Sequence, residues 1–234
     1  FLNLRETMNT RLLDKHKTRL SIGLAGMAAM TWGPMLLKRL RQEHPDLTLD
    51  VYSSSDLQLA RFIEAGTLDL AFTAGRDRVP EAEFTTRFDV GWVARPDLVE
   101  GVAQPLTPEA LRNLPLVLYP KTSPMWNPVA EVIDEMRSFR AERHYGNSLS
   151  TMYDMLRLGY GASALALIGV EQELADGRLV QLEVTEEIPP LDLACTYANR
   201  ARRKPVRLVL ELARECAWEW CQDHPRHACY IDGI

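Results

Sequence analysis

Residues 47–73 read LTLDVYSSSDLQLARFIEAGTLDLAFT, and the pattern of this stretch sets the fold class. Leu47–Tyr52 alternates apolar and polar side chains, the period of a half-buried strand. Ser53-Ser54-Ser55-Asp56 then places capping side chains ahead of Leu59, Phe62 and Ile63, which recur at helical spacing, and Gly66 closes the helix because glycine accepts a left-handed backbone. Leu68–Thr73 is a short strand, apolar on both faces. Strand, helix and strand with brief connections predict a parallel sheet covered by helices.

The same alternation extends in both directions. Upstream, Arg19–Leu24 (RLSIGL) reads as a strand running into a flexible stretch, Ala25 to Ala29, after which Pro34 opens a helix that buries Leu36, Leu37 and Leu40 and stops at Pro45. Downstream the pattern restarts at Val90 with VGWVA; Thr107-Pro108-Glu109 caps a short helix, LPLVLYP is a strand, and Asn127-Pro128 opens a helix through Val132, Met136 and Phe139. Asn147-Ser148 caps a helix closed by Gly159, ASALAL returns as a strand, and the chain ends with a late strand (191–198) and a helix from about Val206. The expected architecture is therefore α/β with two lobes. The chain is expected to cross between them near Ala94-Arg95-Pro96 and to return near Leu193 to Ala198, giving a first lobe of 18–94 and 196–234 and a second of 95–195. Phe1, Leu4, Met8 and Leu12 at helical spacing add an amphipathic start over 1–17.

Composition narrows the function. With 46% hydrophobic residues in 234, the chain has the material for a real core. Its 32 acidic against 27 basic side chains leave a formal charge of −5, which opposes a phosphate backbone. No apolar run approaches the roughly 20 residues of a membrane span, and the opening residues are too polar for a signal-peptide core, so no membrane partner and a cytoplasmic location are expected. Cys216, Cys221, His224, His227 and Cys229 form a cluster whose spacing matches no zinc pattern, so no metal is expected there and the alternative is core thiols with a loose tail.

Catalytic signatures are missing as well. The chain has no phosphate-binding G-x-x-x-x-G-K-[ST], no G-x-S-x-G elbow and no H-E-x-x-H, and Gly159-Tyr160-Gly161 follows a helix instead of a strand, the reverse of a dinucleotide fingerprint. Neither an enzyme nor a cofactor is expected, with Asp56 and Lys121 the sole acid and base candidates for the contrary reading. What the chain does offer is polar loops at the C-terminal ends of its strands, where open α/β sheets bind ligands. The residues singled out are Gly26, Met27, Ala28, Asp56 and Thr73 in the first lobe, and Ser123, Asn147 and Ser148 in the second. If the lobes face each other these loops converge, and the free N–H groups of their helix N-termini suit an acceptor-rich ligand. Asp56 and Ser148 each also read as ordinary helix caps.

Three segments, in order, resemble the effector-binding domain of LysR-type transcriptional regulators. They are R-L-S-I-G-L with Pro34 and Glu43-His44-Pro45-Asp46-Leu47; Leu59-x-x-Phe62-Ile63-x-x-Gly66-x-Leu68-Asp69-Leu70-Ala71-Phe72; and Leu158-Gly159-Tyr160-Gly161-Ala162-Ser163-Ala164-Leu165 with Asp176-Gly177-Arg178-Leu179-Val180. The resemblance covers about residues 18 to 215 and implies a two-lobed, periplasmic-binding-protein-like (type 2) fold, each lobe a Rossmann-like sheet, joined by two hinge strands. It implies that residues 1–17 end a linker helix, that an N-terminal winged helix-turn-helix outside this chain contacts promoter DNA, and that the protein is a homodimer or homotetramer sensing a small molecule between its lobes. A transporter's solute-binding protein shares the fold and is the alternative. Three departures bear on the ligand: Met27 stands where the family often presents a hydroxyl, Asp56 where a Ser or Thr is usual, and the Pro common after the family's G-x-G-I-A-L-L stretch is replaced near Ala166. A buried carboxylate there disfavours an anion, so a neutral or cationic effector is expected.

Overall fold

The computed structural model describes residues 18–75, 83–197 and 204–233, so the amphipathic start over 1–17 lies outside the described residues. The chain runs β1 (Thr18–Leu24), α1 (Gly26–Met30), α2 (Gly33–Glu43), β2 (Leu47–Ser53), α3 (Asp56–Glu64), β3 (Leu70–Ala74), β4 (Phe84–Phe88) and β5 (Val90–Ala94). It continues through α4 (Pro108–Arg112), β6 (Leu116–Leu118), α5 (Trp126–Val132), β7 (Arg143–Tyr145), α6 (Leu149–Arg157), β8 (Ser163–Ala166), α7 (Glu171–Ala175) and β9 (Val180–Leu182). The last elements are β10 (Leu191–Tyr197), α8 (Lys204–Asp223) and β11 (Ala228–Asp232).

Two sheets result. The first has strand order β11-β4-β10-β3-β1-β2, with β1 parallel to both β2 and β3 as the βαβ reading of residues 47–73 requires, and β10 antiparallel to β3 and β4. Leu20, Ile22 and Leu24 of β1 point to one face, where α2 and α8 cover them with Leu36, Leu40, Val206 and Val209 in a common core. The other face packs Leu59 and Ile63 of α3 on Leu68 and Ala71. Ser55 caps α3 by accepting from the Gln58 amide at 3.4 Å, and Gly66, at φ 71°, turns the chain out of the helix in the left-handed region that side chains avoid. The second sheet has order β8-β5-β9, and the β6-β7 pair joins it through a parallel bridge between Leu116 and Ala162.

The strand pairing corrects the expected lobe boundaries. Strand β5 pairs with β8 and β9, so the chain changes sheets at Asp89, one strand before Ala94-Arg95-Pro96. It returns between Thr185, still bound through its amide to Leu106 O, and Leu191, where β10 begins in the first sheet; residues 191–195 therefore sit in the first lobe, not the second. Asp89 is held on both sides, its amide donating to His227 O at 3.0 Å and its carbonyl accepting from the Leu167 amide at 2.9 Å. Arg87 donates two hydrogen bonds to Asp192, at 2.7 and 2.9 Å, tying the two crossing strands together.

Three local expectations also change. The stretch after β1 is helical (α1) instead of flexible, because Met27 and Ala28 bury against the core. The helix opened by Asn127-Pro128 ends at Val132, since Asp134 adopts φ 49° and Met136 is 92% exposed. The C-terminal tail is not loose: residues 228–232 form β11, paired with β4 along its whole length.

The thiols are set by burial. Cys195 is buried in β10 and its pKa is driven well above the ordinary value, while burial on the inner face of α8 pushes Cys216 and Cys221 up to about 11 and about 12; Cys229 is exposed. At pH 8 only roughly a thousandth of Cys216 is thiolate, the reactive form. Iodoacetamide followed by peptide mass spectrometry is expected to label Cys229 first and leave the other three largely unmodified in the folded chain. Labelling of Cys195 as fast as Cys229 would refute its assignment as a packing residue. Among the described residues, no group of three or more His, Cys, Asp and Glu is placed to hold a metal ion.

Candidate functional site

The lobes face each other across a cleft of about 460 Å³. From the first lobe it receives the start of α1 (Gly26, Met27), the run Ser53 to Asp56, and Ala74 at the end of β3. From the second come Tyr119, Thr122 and Ser123 after β6 and Gly146, Asn147 and Ser148 before α6, while Val90, Leu191 and Leu193 of the crossing strands form its apolar floor. The sheet geometry explains this convergence: β1, β2, β3, β6 and β7 all end toward the cleft, so every loop following a strand opens into it.

Six of the eight residues singled out from the sequence line this cleft: Gly26, Met27, Asp56, Ser123, Asn147 and Ser148. Ala28 and Thr73 do not; both are buried one position behind a lining residue, Ala28 on the inward face of α1 and Thr73 beside Ala74. The capping roles also differ from expectation. Ser55, not Asp56, caps α3, and the Asp56 carboxylate accepts from the Ala74 amide at 2.6 Å, fastening the α3 N-terminus to the end of β3. Ser148 occupies the cap position of α6 without a capping bond; its hydroxyl lies 2.9 Å from that of Ser150. Ser123 accepts from the Met125 amide at 3.2 Å and keeps its own proton to donate.

Several lining residues were missed. Tyr119 is only 6% exposed, and its hydroxyl has no hydrogen-bond partner among the described residues. Burial drives its pKa upward, so it stays neutral and can donate or accept. Its position directly after LVL at the C-terminal end of β6 was the available signal. Ser53, Ser54, Thr122 and Asn147 likewise have side-chain polar groups without partners among the described residues. The cleft thus presents a crowd of neutral donors and acceptors above an apolar floor.

Asp56, half-buried, is the one charged residue among the described residues that line the cleft. Lys121 holds its ammonium 5.5 Å from the Trp126 ring centroid and is not among the lining residues, so Asp56 and Lys121 do not share the cleft as an acid-base pair.

Comparison with known proteins bears on this geometry. The family model described as the LysR substrate binding domain matches residues 14–218. No curated protein matches the chain by sequence. Among solved structures, the regulatory domain of MetR, a LysR family regulator from N. meningitidis, is 15% identical, with 92% of this chain and 99% of that one covered at a TM-score of 0.69. The reduced regulatory domain of OxyR2 from Vibrio vulnificus is 16% identical over 86% and 96% (TM-score 0.67), and that of HypT from Salmonella typhimurium, in its apo form, 18% over 86% and 95% (0.67). At these identities the likeness establishes the fold: two lobes of the periplasmic-binding type joined by two crossing strands.

Proposed function

The chain belongs to the LysR substrate-binding domain family, and from that premise we propose that its cleft binds a neutral or cationic small molecule whose capture closes the two lobes. Membership makes it the effector-binding regulatory domain of a LysR-type transcriptional regulator and sets aside the transporter receptor. The observation that carries the ligand class is the lining itself: among the described residues, one carboxylate and many neutral hydrogen-bonding groups. An amine, amide or polyol meets complementary hydrogen-bonding partners in this lining, where the neutral groups outnumber the single Asp56 carboxylate.

Ligand acts through its differential affinity for the open and closed arrangements. Because the crossing strands are fastened by Arg87 to Asp192 and by Asp89 to the turn before β11, closure rotates one lobe against the other about that seam. In the full-length regulator the motion re-spaces the DNA-binding arms, which contact promoter DNA outside this chain in the cytoplasm. The domain performs no chemistry on its ligand. No helix among the described residues is long and apolar enough to cross a membrane. Self-association as a homodimer or homotetramer uses the first lobe, where α2 and α8 lie side by side and Trp218 is 52% exposed.

A thermal-shift screen of amines, amides, polyols and carboxylates, followed by calorimetry, tests the ligand class. Hits are expected among the first three. Asp56→Ala is expected to weaken a cationic hit by about 1.5–3 kcal/mol, the worth of a hydrogen bond to a charged group, and Ser148→Ala by about 0.5–1.5 kcal/mol. Carboxylates as the sole hits, or unchanged affinity in both variants, would defeat the proposal.

A further inference from the structure

A second cavity, of about 540 Å³, opens at the other end of α1 from the cleft, and it too is walled by both lobes. Met27 lines both cavities; Met30 and Ile168 extend the apolar wall of the second. Its floor carries Trp220 stacked on His224, ring centroids 4.0 Å apart and planes 15° off parallel. The His224 Nδ1 lies 2.8 Å from the Trp220 carbonyl, which can only accept, so Nδ1 carries the proton and Nε2 is left as the open position of the ring. Thr31 is spoken for, its hydroxyl donating to Met27 O at 2.7 Å, as is Gln172, whose amide donates to Asp176 at 2.8 Å.

Two charged groups remain. Arg226 belongs to the first lobe and Glu171 to the second; both line this cavity, and neither makes an ion pair or hydrogen bond among the described residues, with each other or with anything else. Opposite charges that face one space without closing on each other present a dipole across it. Each would gain by meeting its complement inside: a guanidinium takes a carboxylate in a two-pronged bond, and a carboxylate takes an ammonium.

We propose that this cavity is a second ligand site, for a small zwitterion with an apolar body, the chemistry of a hydrophobic α-amino acid. Its carboxylate pairs with Arg226, its ammonium with Glu171, and its side chain lies against Met27, Met30, Ile168 and the Trp220 stack. Because the two charged anchors belong to different lobes, the bound zwitterion ties the lobes together at the opposite end of α1 from the cleft. This site stands whether or not the cleft binds a neutral or cationic effector.

The test is calorimetry of the chain with L-leucine, L-methionine and L-phenylalanine, with L-phenylalaninamide and 3-phenylpropanoate as probes lacking one charge each. At least one amino acid is expected to bind saturably. Arg226→Gln and Glu171→Gln, both surface changes, are each expected to weaken it at least about tenfold, as is removal of either charge from the probe. Asp56→Ala, in the cleft, is expected to leave it unchanged. The proposal is overturned if none of the three amino acids binds saturably by about 10 mM, a concentration weaker than any useful affinity. It is equally overturned if binding survives both glutamine variants or disappears in Asp56→Ala, an outcome that would assign the amino acid to the cleft instead.

Discussion

Trp32→Ala is expected to destabilise the first lobe by about 3–5 kcal/mol, the cost of deleting a large aromatic from a packed interior. Trp32 is fully buried where α1 meets α2, edge-on to Phe72 at 4.8 Å and to Phe84 at 6.1 Å, and so joins the helical layer to β3 and β4 at once. Its indole Nε1, however, is buried without a hydrogen-bond partner among the described residues, an arrangement that costs about 1–3 kcal/mol. Removing the ring removes that penalty too, placing the net loss toward the lower end. Trp32→Phe separates the two effects: it keeps a six-membered aromatic ring in the core, discards the orphan donor, and is expected to cost less than Trp32→Ala because it leaves a smaller cavity. Urea unfolding followed by circular dichroism measures both. A loss below about 1 kcal/mol for the alanine variant would mean that the core collapses into the vacated space, and the ring would no longer count as a joint between layers.

How much of this was legible in the sequence follows from where each signal resides. The unit from Leu47 to Thr73 could be read because its information is local: an alternating strand, apolar residues at helical spacing, and a glycine that the structure places at φ 71°. The lobe boundary could not. Strands β4 and β5 are separated by Asp89 alone, so FTTRFDVGWVA reads as one extended run, and only pairing with β10 on one side and β8 on the other reveals that it is shared between sheets. Strands β7 and β9 have three residues each, too few to display a period, and β11 was hidden because a five-residue run at the end of the chain shows its pairing partner, β4, only in the folded sheet.

The cleft shows the same division. That the loops after β1, β2 and β6 and the helix start at Asn147-Ser148 converge followed from the strand ends and helix starts legible in the sequence, which is why six of the eight residues singled out line the cleft. What each side chain does there is tertiary. Asp56 looked like a helix cap and instead grips the Ala74 amide from a strand 14 residues past its own position by the start of β3, a partner that no spacing rule supplies. Tyr119 was hidden for the converse reason, since a tyrosine ending an apolar strand is ordinary core until the facing lobe is known.

Gly26→Phe is expected to lower effector affinity by about 100-fold, close to 2.7 kcal/mol, by holding the lobes apart. Gly26 begins α1 at the base of the cleft, and a Cβ built there would sit 2.9 Å from Leu149 Cδ1 and 3.3 Å from its Cγ on α6 of the other lobe. Gly26→Ala meets only the flexible end of Leu149, which can turn aside by a few tenths of an ångström, so affinity is expected to stay within about threefold of wild type. A phenyl ring has no such room and must drive α6 outward. If binding requires closure, the measured affinity scales with the fraction of molecules able to close, so a wedge that makes closure 100 times rarer weakens binding by the same factor. Calorimetry with a hit from the effector screen gives the affinity, and small-angle scattering reports whether the free chain is more open. The double variant Gly26→Phe with Leu149→Ala decides the cause, because it restores space on the facing helix and is expected to recover most of the lost affinity. Wild-type affinity in the single variant, or no recovery in the double, would show that the contact between α1 and α6 does not govern access to the closed state.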